Sequence, residues 1–178
     1  PEATACLEGL LKRLDAGESF QLSFDLETRH GHIACAGLAW SELEAICVPF
    51  MCVERASGFW EASEEAYLIW LFYKLLAHPQ AQIIGQNLLY DFQYTYRWWH
   101  FVPRLAQDTM FSHHTAFCEL PKALAFQASL FCKSYKFWKH DSKIWDKKLG
   151  EDQLWIYCCE DAVRTFEVAA VTKENVRS

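Results

Sequence analysis

Residues 19–27 alternate between apolar and polar side chains. Successive side chains of a β-strand point to opposite faces of the sheet, so this period of two predicts a strand with one buried face. The apolar face is Phe20, Leu22, Phe24 and Leu26, and the polar face is Gln21, Ser23, Asp25 and Glu27. Two carboxylates therefore share one face of a strand that is otherwise suited to burial. A buried carboxylate is costly unless a cation or a proton compensates its charge.

The rest of the chain predicts an α/β fold around this strand. Further strands are expected over 32–40, 45–52 and 81–85, and the short links between the first three strands predict an antiparallel meander. Helices are expected over 4–16, from an N-cap at Ser63 to His78, from Asn87 to His100, and over 108–117, 121–132 and 151–173. Early strands followed by alternating helices and strands predict a mixed sheet flanked by helices.

Composition narrows the class of protein. The 178 residues are 52% hydrophobic, enough for the core of one domain, and we found no internal boundary. No apolar run is long enough to span a bilayer, and the N-terminus does not resemble a signal peptide. Eight cysteines without CxxC or Cys/His ligand spacing indicate reduced thiols rather than a zinc site. Reduced thiols and the lack of a signal peptide predict a cytoplasmic protein. A start without Met predicts that the domain 1–178 was excised from a longer polypeptide, and a processed N-terminus is the alternative.

Two later stretches add acids to the pair on the strand. GQNLLYD places Asp91 one helical turn after Asn87, and YCCED places Tyr157 and Asp161 four residues apart on one helix face. Carboxylates without an obvious Arg or Lys partner in the sequence suit hard divalent cations, and pairs of such ions catalyse phosphoester hydrolysis. The spacing predicts metal-dependent phosphoester chemistry. The alternatives are a solvated strand face, a surface acid at Asp91 and an ordinary core tyrosine at Tyr157.

FDLET, GQNLLYD and YCCED, in this order, resemble the three motifs of the DEDD superfamily of 3′–5′ exonucleases, which have a ribonuclease H-like three-layer fold. The third motif has the form YxxxD of the tyrosine subgroup, because the histidine subgroup has His where this chain has Ile156. The resemblance covers about residues 19–172. It is greatest to the proofreading domain of family A, phage-type, DNA polymerases.

The resemblance implies a role for each residue of the three motifs and two divalent ions, Mg²⁺ or Mn²⁺, as cofactors. Asp25 is expected to bridge both ions, Glu27 and Asp161 to complete the first ion site, and Asp91 to hold the second ion through water. Tyr157 is expected to orient the attacking water, since a phenol with a pKa of about 10 is a poor base at neutral pH.

The resemblance also implies a substrate and partners. The substrate would be a single-stranded or frayed DNA 3′ end, and a polymerase domain would lie in the same chain. The cell would be a bacterium or a phage-infected host. No membrane association is expected, and the isolated domain would be monomeric. Two alternatives stay open. One is an exoribonuclease similar to ribonuclease D, and the other is a catalytically inactive nucleic-acid-binding module.

Residues 133–150 are the best electrostatic candidate for phosphate contacts. This segment contains six lysines and two aspartates, in a chain whose net charge is −6. The candidate nucleic-acid contacts are Thr28, Asn87, Lys136, Lys139 and Lys143. The lysines interleave with aromatic side chains, including Trp138, that could stack on bases. The alternative is a solvated loop anchored by those aromatic side chains.

Replacing Lys136, Lys139 and Lys143 with Gln should flatten the salt dependence of single-strand DNA binding. Each lost phosphate contact lowers the slope of log affinity against log salt by about 0.7. Fluorescence anisotropy at several salt concentrations measures that slope. An unchanged slope in the triple variant would exclude this segment from the binding surface.

Overall fold

The computed structural model describes residues 2–133, 136, 138 and 151–177, with side chains described up to residue 173 in the last helix. The helices are α1 (Glu2–Asp15), α2 (Ala62–Leu76), α3 (Leu88–Tyr94), α4 (Thr109–Ala116), α5 (Leu124–Phe131) and α6 (Asp152–Arg177). The strands are β1 (Phe20–Arg29), β2 (His32–Ala39), β3 (Ala45–Pro49), β4 (Ala81–Gly85) and β5 (Leu105–Asp108). None of these helices is both long enough and apolar enough to cross a membrane.

The strands form one mixed sheet in the order β3-β2-β1-β4-β5. The first three strands pair antiparallel, as predicted from their short links, whereas β4 joins β1 and β5 in parallel. The central strand is therefore β1, and its register places Asp25 opposite Gly37 of β2. The acids on β1 lie in the middle of the sheet rather than at an edge.

Helices cover both faces of the sheet. The apolar face of β1 packs with α1 and α2 into the main core, as the alternation of residues 19–27 predicts. On the opposite face, Cys158 and Leu154 of α6 pack against Cys35 of β2, and α5 packs against α6. The predicted α/β three-layer fold with a mixed sheet is confirmed. The polar face of β1 is turned toward α6, which carries the third acidic motif.

The absence of a side chain at Gly37 permits the approach of α6 to the sheet. A Cβ atom on Gly37 would lie 2.8 Å from Cys158 Sγ and 3.0 Å from the carbonyl oxygen of Cys158. The carbonyl belongs to the helix backbone, so the contact cannot be relieved by a rotamer change alone. Because Gly37 is paired with Asp25, the closest approach of α6 occurs directly beside an acid of the candidate site.

Several predicted elements differ from the structure: β3 ends at Pro49, α5 spans Leu124–Phe131 and α6 spans Asp152–Arg177. Helix α2 has its N-cap at Glu61 instead of Ser63, and the Glu64 side chain accepts a hydrogen bond from the backbone N–H of Glu61. The helix expected over 87–100 is α3 followed by a π-helical segment, Thr95–Trp99. Strand β5 was not predicted, because four residues at a sheet edge are too few to show a periodicity.

Gly37→Ala should lower the free energy of unfolding by about 1–3 kcal/mol, the usual cost of forcing an extra methyl group into a packed core. Urea denaturation measures this change. Gly9→Ala is the matched control, because a Cβ atom at Gly9 in α1 meets nothing within 4 Å. That substitution should stabilise the helix slightly. Equal stability of Gly37→Ala and the unmodified protein would contradict the close approach.

Candidate active site

Three of the predicted site acids converge between β1 and α6. Carboxylate oxygens of Asp25, Glu27 and Asp161 all lie within 4.8 Å of one another. Asp25 and Glu27 share the polar face of β1, and Asp161 projects from the third turn of α6 to a buried position. At such distances the like charges repel strongly, and divalent cations with oxygen ligands are the usual compensation. The donor set fits Mg²⁺ or Mn²⁺.

Asp91 contacts the backbone of β1 from α3, the helix that follows β4. It lies in the first turn of α3, is 4% exposed, and its Oδ1 accepts a hydrogen bond of 2.9 Å from the backbone N–H of Leu26. Burial raises the pKa of Asp91 well above its ordinary value, and the charge of Asp25 raises it further. Ionisation of this carboxyl is therefore less favourable than that of an exposed aspartate.

Tyr157 lies one turn before Asp161 on α6, and its side chain is buried. Its hydroxyl is hydrogen-bonded to Asp161. Burial raises the pKa of Tyr157, and the charges of Asp161, Glu27 and Asp25 raise it further. The phenol consequently stays protonated and its oxygen carries no charge, so Tyr157 is unsuited to act as a base.

Trp138 is a site residue that sequence reasoning did not identify. Its side chain is buried, and its indole N–H donates a hydrogen bond to Asp161 Oδ1. The sequence placed Trp138 only among aromatic side chains that could stack on bases. Hydrogen bonds of this kind orient metal-ligating carboxylates. A pairing between residues 23 positions apart has no periodic signal in the sequence.

A cation also lies closer to the acids than the sequence indicated. Arg29 Nη1 is 3.8 Å from Glu27 Oε2 and donates a hydrogen bond of 2.8 Å to the carbonyl oxygen of Thr28. The expectation that the acids have no Arg or Lys partner is therefore wrong for Glu27. Arg29 therefore offsets part of the negative charge at Glu27.

The predicted nucleic-acid contacts are placed unevenly. Thr28 Oγ1 shares a hydrogen bond of 2.8 Å with the hydroxyl of Tyr90, close to the acids. Asn87 adopts a left-handed backbone conformation at the N-cap of α3, with φ of 59°. Lys136 is exposed, whereas Lys139 and Lys143 lie outside the described residues.

Asp108 fixes the strand–helix junction that carries Asn87. Its carboxylate accepts hydrogen bonds from the backbone N–H groups of Asn87, Leu88 and Met110 at 3.0, 2.8 and 2.9 Å. Asp108 is the N-cap of α4, the next helix. The same side chain also caps α3, so it positions the helix that bears Asp91.

An open cleft of about 470 Å³ adjoins the acids and is lined by Asp25, Asn87, Lys122 and Asp161, among others. Lys122 is exposed, and its carbonyl oxygen accepts hydrogen bonds of 2.8 Å from the side chains of Gln86 and Gln127. The sequence analysis missed this lysine because it stands alone, outside the lysine-rich segment. It places a positive charge at the rim of an acidic cleft.

A comparison with protein-family models identifies the family of the chain. The family described as 3′–5′ exonuclease matches residues 2–174, nearly the whole chain. The chain belongs to this exonuclease family. The resemblance to the DEDD superfamily drawn from FDLET, GQNLLYD and YCCED is thereby confirmed, and the protein is a 3′–5′ exonuclease domain. A comparison with curated proteins finds no match.

Solved exonuclease structures share the fold at low sequence identity. The catalytic core of Rrp6 from Trypanosoma brucei matches with a TM-score of 0.71 and 14% identity over 98% of this chain and 44% of its own. RNase D of Escherichia coli, an exoribonuclease involved in structured RNA processing, matches with a TM-score of 0.69 and 14% identity over 98% of this chain and 43% of its own. NrnC of Brucella melitensis with bound Mg²⁺ matches with a TM-score of 0.69 and 14% identity over 92% of this chain and 77% of its own. The chain thus spans less than half the length of the RNase D and Rrp6 structures.

Asp91→Asn should stabilise the metal-free protein at neutral pH while abolishing most of its nuclease activity. The folded-state pKa of Asp91 lies above its unfolded value, so its favourable contribution is complete below about pH 4 and is lost as pH rises through the folded pKa. Asparagine keeps an oxygen for the Leu26 N–H and does not ionise. The difference in melting temperature between the variant and the unmodified protein should therefore grow with pH.

Thermal denaturation in chelator between pH 4 and pH 8 measures this difference. Glu119→Gln, which alters an exposed acid, is the control and should show no such trend. A difference that stays constant with pH would contradict the raised pKa of Asp91.

Proposed function

We propose that this exonuclease domain removes nucleoside monophosphates from single-stranded or frayed DNA 3′ ends with the aid of two divalent ions, as a proofreading activity. The observation that carries the proposal is the convergence of Asp25, Glu27 and Asp161 within 4.8 Å, beside Tyr157 and an open cleft. That arrangement combines metal ligands, a water-orienting hydroxyl and room for a chain end. It is consistent with the exonuclease family of the chain.

The four acids provide the ligands for the ions, Mg²⁺ or Mn²⁺. Asp25 is the shared ligand, Glu27 and Asp161 complete the first ion site, and Asp91 serves the second site. Ions bound there would lower the pKa of the attacking water and neutralise charge that develops on the phosphate. NrnC, a structural neighbour, holds Mg²⁺.

The protein groups around the ions position the reactants. The Tyr157 hydroxyl donates a hydrogen bond to Asp161, and a hydroxyl that donates one hydrogen bond is also able to accept one, here from the attacking water. Trp138 holds Asp161 Oδ1 and thereby sets the orientation of this carboxylate. The proposed phosphate contacts are Lys122, which lines the cleft, and the exposed Lys136, together with Thr28 and Asn87.

Selection of mismatched ends would follow from fraying. An unpaired terminal nucleotide costs less to separate from its template than a paired one, so it enters the cleft more readily. Such selection suits an editing domain. We propose that residues 1–178 form one monomeric domain of a longer cytoplasmic polypeptide that carries a DNA polymerase.

The second candidate is an exoribonuclease similar to ribonuclease D. It is supported by the RNase D and Rrp6 structures, which share this fold. The 2′-hydroxyl is the group by which a protein distinguishes RNA from DNA. An inactive nucleic-acid-binding module is less consistent with the intact set of four acids and Tyr157.

Digestion of a 5′-labelled single-stranded DNA with Mg²⁺ or Mn²⁺ tests the proposal. The labelled strand should shorten one nucleotide at a time, and chelator should abolish the reaction. Asp25→Ala should lower the rate by about 10³-fold or more, because metal ions contribute several kcal/mol of transition-state stabilisation. Glu119→Gln is the control. Activity that persists in Asp25→Ala or in chelator would overturn the assignment.

A matched RNA of the same sequence separates the two candidates. The proofreading proposal expects faster digestion of DNA, and faster removal of a mismatched than of a paired primer terminus. Preference for RNA would instead establish the exoribonuclease alternative.

A further inference from the structure

A cluster of three cysteine thiols lies directly beside the acidic site. Cys35 of β2, Cys47 of β3 and Cys158 of α6 place their sulfur atoms within 4.8 Å of one another. Pairing of β2 with β3 brings Cys35 near Cys47, and the packing of α6 on the sheet adds Cys158, so the cluster exists only in the folded protein. Cysteine spacing argued against a zinc site, and the fold brings together thiols that this argument treated as separate.

The cluster is built into the frame of the fold. Cys35 and Cys158 are fully buried, whereas Cys47 is half-buried. The Cys158 thiol also contacts Asp25, at 3.7 Å from Oδ2 and 3.8 Å from the carbonyl oxygen. The approach of Cys158 depends on Gly37, which leaves room for its sulfur. The thiol positions are therefore set by the same packing that positions the acids.

The separations of the sulfur atoms fit a thiolate metal site. Zn–S bonds of about 2.3 Å in tetrahedral geometry place neighbouring sulfur atoms about 3.8 Å apart. Separations of at most 4.8 Å need to contract by no more than about 1 Å to reach this value. Rotation of thiol side chains provides movements of that size without a change in the backbone.

A route from solvent reaches the cluster at Cys47. Cys47 lines a surface groove of about 470 Å³ together with Trp155 and Cys159. An ion can enter there, and a water molecule from the groove can complete a fourth ligand position. The other two thiols face the interior, among the side chains of Leu154 and Ala34.

We propose that Cys35, Cys47 and Cys158 form a second metal site that binds a thiophilic divalent ion, Zn²⁺. Thiolates select Zn²⁺ over Mg²⁺ and Mn²⁺, which take the oxygen ligands of the acidic site. A divalent ion held by three thiolates leaves one net negative charge, whereas a monovalent ion would leave two beside Asp25. Each thiol releases its proton to solvent as its S–Zn bond forms, and no oxidant is required.

The ion would join three elements of the fold. It would link β2 and β3 to α6, the helix that carries Tyr157 and Asp161. The site is thus a structural one in this proposal, and it neither supplies nor replaces the ions of the acidic site. Its existence does not depend on the nucleic acid that the enzyme degrades.

Titration of the reduced, metal-free protein with Co²⁺ in excess Mg²⁺ tests the proposal. Excess Mg²⁺ occupies the acidic site. Co²⁺ substitutes for Zn²⁺ at thiolate sites, and there it gives a thiolate-to-metal charge-transfer band that carboxylates do not produce. The unmodified protein should show this band, and Zn²⁺ should bleach it. Cys47→Ser should lose it, and Cys118→Ser, which alters an exposed cysteine, should retain it. Absence of the band, or an equal band in Cys47→Ser, would overturn the proposal.

A second measurement uses the unmodified protein and does not depend on the folding of a variant. Alkylation of each cysteine by iodoacetamide is followed by peptide mass spectrometry with and without Zn²⁺ in excess Mg²⁺. Zn²⁺ should slow modification of Cys47 by at least about tenfold at saturating concentration and leave Cys118 unchanged. Equal rates at Cys47 with and without Zn²⁺ would also overturn the proposal.

Discussion

Repulsion among carboxylates on the polar face of β1 is the constraint on which the structure depends. Asp25, Glu27 and Asp161 lie within 4.8 Å of one another, and Asp91 is buried against the backbone of the same strand. Such a cluster opposes folding unless protons or cations compensate its charge. Burial and the charge of Asp25 raise the pKa of Asp91, so binding of a proton there is one form of compensation. Divalent ions are the other, and they are the one that supports hydrolysis.

The fold holds the acids together through backbone contacts as much as through side chains. Gly37 lets α6 reach the sheet, and Asp108 caps both α3 and α4 with a single carboxylate. Gly37 and Asp108 thereby help to position the four acids of the site, although neither residue belongs to that set. A site assembled in this way keeps its geometry before any ion binds, because the packing of α6 and α3 determines where Asp161 and Asp91 lie.

Local patterns and motifs account for much of the site. The alternation in β1 placed Asp25 and Glu27 on one face, and the four-residue spacing in α6 placed Tyr157 beside Asp161. The strand order, β5 and the contacts between distant elements were not predictable in this way. The indole of Trp138 on Asp161, the Leu26 N–H on Asp91 and the three clustered thiols each join residues with no periodic relationship. Such pairings depend on how helices and strands pack.

Calorimetric titration with Mn²⁺ tests most directly whether the acids form a metal site. The account predicts two ions bound by the unmodified protein and by Glu119→Gln. Asp25→Asn, which keeps the shape of the shared ligand and removes its charge, should weaken the binding of both ions. The Mn²⁺ ion is a poor partner for thiolates, so the cysteine cluster does not contribute to the signal. Binding of Mn²⁺ to Asp25→Asn with undiminished affinity would contradict the account.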